Sequence, residues 1–105
     1  MMPLGAALRM NKYLIAKEQL EKTGFAIMTC YGNSMTPIFG NKETLRFQKF
    51  DEYEIGDCVF CKVKGRWIDA HKITKKGERG YMIANNHGHE NGWTKQIYGK
   101  VVAIL

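Results

Sequence analysis

The sequence predicts a mainly β domain, a curled sheet or partly open barrel preceded by one N-terminal helix. Three observations carry this. Six or seven short runs rich in β-branched and aromatic residues follow one another from Phe25 onward. Tight-turn signals such as "EIGD", "KGR" and "GERG" separate them. Helical periodicity is confined to one stretch near the start, and one helix followed by many closely spaced strands is the signature of a mainly β domain.

The elements follow in order. Residues 1–10 read as an arm. Asn11 is a helix cap, and Tyr13, Ala16 and Leu20 recur at helical spacing through about Lys22. Glu18 and Lys22 form a favourable pair one turn apart, and Gly24 supplies the stop. "FAIMTCYG" is the first strand. "TLRFQKF" is the second, with Leu45 and Phe47 alternating against Arg46 and Gln48. "DCVFCKV" and "WIDAHKI" flank a hairpin at Lys64, Gly65 and Arg66, "YMIAN" follows, and "QIYGKVVAIL" closes the sheet. "NNHGHENGW" is expected to be a loop.

At 105 residues the chain has room for one modest core. Its formal charge of +6 would suit a polyanion, but the lysines are scattered, which argues against a nucleic-acid partner. Three cysteines, an odd number, argue against a disulfide framework. In "CVFC", strand alternation turns Cys58 and Cys61 to opposite faces, so packing thiols are expected rather than a metal or redox pair. No run approaches the roughly 18 apolar residues of a membrane span, and "MPLGAALRM", short and without a basic n-region, is not expected to be a secretory signal. A cytoplasmic location is expected, with no metal and no cofactor.

"YGNSMTPIFG" raises the chemical question. Ser34 stands in a turn after an apolar strand, and serine is a poor nucleophile unless a base lies within hydrogen-bond reach. His71, Lys72, His87 and His89 are candidate bases, and spacing alone does not choose. Alternation puts Trp67, Asp69, His71 and Ile73 on one face and Ile68, Ala70 and Lys72 on the other, so only one of His71 and Lys72 can point at Ser34.

"GNSMTPIF" resembles the nucleophile box of the signal peptidase I and LexA-type superfamily of serine peptidases. "EIGDCVFCKV", "DAHKI", "IANNHGHENGW" and "IYGKVVAIL" resemble the later boxes in the same order, so the likeness spans about Phe25 to Leu105. It implies the curled sheet or partly open barrel of the signal peptidase and LexA C-terminal type, an arm and helix over 1–24, and a peptidase domain over 25–105. It implies Ser34 as nucleophile and His71 as base, as in the histidine-bearing endoplasmic-reticulum and archaeal subtype. Lys72 matches the basic residue that follows. Glu90 matches an acidic residue that could orient His71. The Ser34 N–H would help form the oxyanion hole, and Gly32, Met35 and Pro37 would line the substrate cleft. The chain has Gly32 where signal peptidases often place a hydroxyl, and "IANN" where the family has Gly-Asp-Asn.

The expectation is therefore a serine endopeptidase that cleaves an extended peptide or protein substrate after small residues. A catalytically silent structural or adaptor protein on the same fold, such as a phage virion component, is the alternative, and a basic nucleic-acid-associated module is a third. The arm over 1–10 would dock on a second copy or a virion partner, which would make the protein virion-associated.

Overall fold

The computed structural model describes residues 11–105, so the expectation for the 1–10 arm falls outside the described residues. Helix α1 spans Lys12–Thr23. Asn11 caps it by accepting the Leu14 N–H on Oδ1, and Gly24, at φ 82°, closes it by donating its N–H to Leu20 O. Ala16 and Leu20 are the buried pair that fastens the helix to the sheet.

Seven strands follow: β1 Phe25–Tyr31, β2 Lys42–Gln48, β3 Cys58–Val63, β4 Arg66–Gly77, β5 Gly80–Ala84, β6 Glu90–Thr94 and β7 Ile97–Ile104. They form one antiparallel sheet in the order β1-β2-β7-β3-β4-β5-β6, curled into a half-barrel. The expected mainly β fold with one N-terminal helix is what the described residues form. β6 is an addition: it lies inside "NNHGHENGW", expected as loop, where pairing to β5 overrides the weak strand preference of Glu, Asn and Gly.

The core has two parts on either side of β3. Phe60 packs with α1, β1, β2 and the turn after β1, while Val59 and Cys61 pack with Tyr53, Ile68, Ile73 and Ile83. β3 is thus buried on both faces, which accounts for its apolar run from Cys58 to Cys61. Cys58 belongs to the first side and Cys61 to the second, and all three cysteines are free thiols. Gly99 on β7 admits the helix: a Cβ there would sit 3.0 Å from Leu20 Cδ2 and 3.1 Å from Gln48 O.

Strict alternation along β4 does not hold. Trp67 packs on the first side of the sheet, whereas Ile73 packs on the second. Between Ile68 and His71, β4 carries one more residue than its partner β3, a bulge that resets the alternation. No helix among the described residues is long and apolar enough to cross a membrane.

Candidate active site

Ser34 is carried by the turn that joins β1 to β2. Gly32 opens this turn at φ 109°, a left-handed conformation that side chains resist, and its N–H donates to Asn41 O at 2.9 Å. That conformation explains why glycine stands here instead of a hydroxyl-bearing residue. Thr36 N–H donates to Asn33 O and Phe39 N–H to Met35 O, which coils the turn and drives Met35 and Phe39 into the core.

The β5–β6 loop pins the turn from outside. Asn86 N–H donates to Ser34 O at 2.8 Å, and Asn86 Nδ2 donates to Thr36 O at 2.9 Å. His87 Nε2–H donates to Asn33 O at 2.9 Å and lies 3.1 Å from Thr36 Oγ1, which itself donates to Asn33 O. Asn85 Oδ1 accepts the N–H groups of His87 and His89 and so shapes the loop. The "NNHGH" residues therefore support the turn that carries Ser34. Nothing local in the chain signals this, because the contact spans about fifty positions.

His71 reaches Ser34 from β4: its Nε2 is 2.9 Å from Ser34 Oγ. Its Nδ1 is 2.7 Å from Asn91 Oδ1. An amide oxygen can only accept, so Nδ1 carries the ring proton and Nε2 presents its lone pair to the serine hydroxyl. Burial lowers the His71 pKa from its ordinary value; the Asn91 hydrogen bond and the charge of Asp69 oppose the shift, and His89 adds to it. Lys72 turns away, and its Nζ donates to Asn86 Oδ1 at 3.2 Å.

Two expected site residues lie elsewhere. Glu90 is exposed and pairs with Lys75 at 3.4 Å, and Asn91 holds the position on His71 Nδ1. The reason is a bulge: Ile83 pairs with Gly92 and Ala84 with Glu90, so Asn91 is the extra, unpaired residue. Pro37 is exposed at the outer side of the turn and does not line the cleft; Phe39 does. Gly32 and Met35 line it as expected.

The cleft, of about 180 Å³, runs from Ser34 and His71 between β1 and β4 toward Tyr31, Trp67 and Asp69. Cys30 lies on its floor, its thiol pushed up to about 12 chiefly by burial. Among the described residues no protein group accepts the Ser34 N–H. Among the same residues, no cluster of three or more His, Cys, Asp or Glu side chains could hold a metal ion. In comparisons with known proteins, no family model matches the chain and no curated sequence matches it, so the site is read from its own geometry.

Proposed function

We propose that this chain is a serine endopeptidase that uses Ser34 as nucleophile and His71 as its general base. The observation that carries the reading is the array Ser34 Oγ, His71 and Asn91, with separations of 2.9 Å and 2.7 Å, at the end of an open cleft. The ordered resemblance of five segments to the signal peptidase and LexA-type boxes supports it independently.

The chemistry follows from the tautomer. Ser34 Oγ attacks a peptide carbonyl as His71 Nε2 takes its proton. The tetrahedral oxygen is met by the Ser34 N–H, and the imidazolium then protonates the leaving amine. An acyl-enzyme forms, and water enters with His71 as base again. Asn91 is an orienting group: it fixes the ring and the Nδ1 proton, but as a neutral amide it supplies no counter-charge. The exposed edge of β1 beside the cleft suits a strand-like substrate, which would gain main-chain hydrogen bonds there.

A fluorophosphonate probe tests the reading. The expected result is one covalent adduct on Ser34 by mass, absent in Ser34→Ala and slowed about a hundred- to ten-thousand-fold in His71→Ala. A folded wild-type protein that takes no label would instead favour a catalytically silent adaptor.

A further inference from the structure

We propose that Lys12 is a specificity-determining residue that fixes how long a peptide segment the cleft accepts, by bridging its two walls on the side away from Ser34. This rests on reading the Ser34–His71 end as the reacting end. Lys12 Nζ donates to Thr29 O on β1 at 2.7 Å and to Asp69 Oδ2 on β4 at 2.8 Å. These strands are not neighbours in the sheet; they face each other across the cleft. The ammonium also lies 5.0 Å from the ring centre of Tyr13 and 5.3 Å from that of Tyr31, so it is held from several sides.

The backbone of β1 shows what the bridge occupies. Gly24 O and Gly32 N–H bond toward the β2 side, so the even-numbered residues of β1 turn their polar groups inward to the sheet. The odd-numbered residues, Phe25, Ile27, Thr29 and Tyr31, turn theirs to the open edge. Thr23 Oγ1 serves both groups of Phe25, at 3.2 and 3.0 Å. Lys12 takes Thr29 O. Between Lys12 and Ser34, among the described residues, Tyr31 remains to pair with an incoming strand. An extended segment would meet the ammonium about 7 Å beyond Tyr31, room for roughly two or three residues. At that point the wall offers an acceptor already used and a carboxylate already neutralised, and the next edge groups, those of Ile27, lie beyond the ammonium.

The test is a peptide-length series. Fluorescein-labelled alanine-rich peptides, lengthened residue by residue at one end or the other, are titrated by fluorescence anisotropy into Ser34→Ala protein. Affinity is expected to stop rising after about three added residues at one end. Adding Lys12→Met, which keeps the stem and loses the donors, should lift that plateau and tighten the longer peptides about ten-fold, the worth of one or two main-chain hydrogen bonds. Asp69→Asn, which weakens the bridge from the other wall, should shift the series the same way and serves if Lys12→Met fails to fold. Identical length profiles in parent and variants at both ends would overturn the proposal, as would binding of no peptide at all. Hydrolysis of the same peptides with Ser34 intact is scored separately. A length step without hydrolysis keeps the bridge as a stop and removes the peptidase reading; hydrolysis without a length step does the reverse.

Discussion

His71 carries its ring proton on Nδ1, and this assignment, with its burial, decides the pH response expected of the site. In the proposed reaction the neutral ring is the base, and burial disfavours the charged ring, so the folded-state pKa lies below the usual value of about 6.5. Labelling of Ser34, and any kcat/KM, should therefore rise as pH passes through a value under about 6.5 and be level above it. Asn91→Asp would place a negative charge against Nδ1–H and move that rise upward by about one pH unit or more, read from the labelling rate against pH. The same shift acts on stability: between the two pKa values the unfolded chain binds more protons. The His71 contribution is thus full above about 6.5 and is lost as pH falls through that value toward the folded pKa. His71→Ala and Lys72→Ala should separate cleanly, the first losing about a hundred- to ten-thousand-fold in labelling. Lys72→Ala should fall only modestly, because Lys72 reaches the site through its bond to Asn86. Ser34 was legible as a polar turn residue after an apolar strand, and His71 as one of four candidate bases that only the resemblance of "DAHKI" narrowed to one. Asn91 was not, because a bulge moves the inward position by one residue, and nothing local marks a bulge in "HENGW".

Among the elements, helix α1 could be read almost to the residue, since a cap, a spacing of buried residues and a glycine stop all agree. β6 could not, because its residues form a strand only when β5 is present to pair with them. The bulge in β4 was hidden for the same reason: it is defined by a count against β3, not by its own residues. The helix matters to the site because it carries Lys12 to the cleft and Tyr13 onto Trp67, whose rings stack with centres 5.4 Å apart. Leu20 is its anchor, fully buried against Gly99. Leu20→Ala should cost about 2–5 kcal/mol, measured as a fall in denaturation midpoint. Gly99→Ala should also destabilise, because the added methyl meets backbone at Gln48 as well as the leucine.

In the whole molecule, the two core regions share β3, so their unfolding should coincide. Circular dichroism and tryptophan fluorescence are expected to give one midpoint, and two midpoints would show that the sides melt separately. The thiols report the same packing. Cys30 and Cys61 are buried and Cys58 is half-buried, so a thiol reagent should modify Cys58 first in native protein and all three once it is unfolded. The strand order has one more consequence. β1 and β2 form one hydrogen-bonded group, β3 to β6 form another, and β7, which comes after all of them in the chain, is inserted between β2 and β3. Ser34 belongs to the first group and His71 to the second. During synthesis, the sheet is not continuous between Ser34 and His71 until β7, through Ile104, has been made. A nascent chain stalled before Ile97 would carry every residue of the proposed chemistry without the completed sheet, so the order of strands would keep that chemistry silent while the chain is being made.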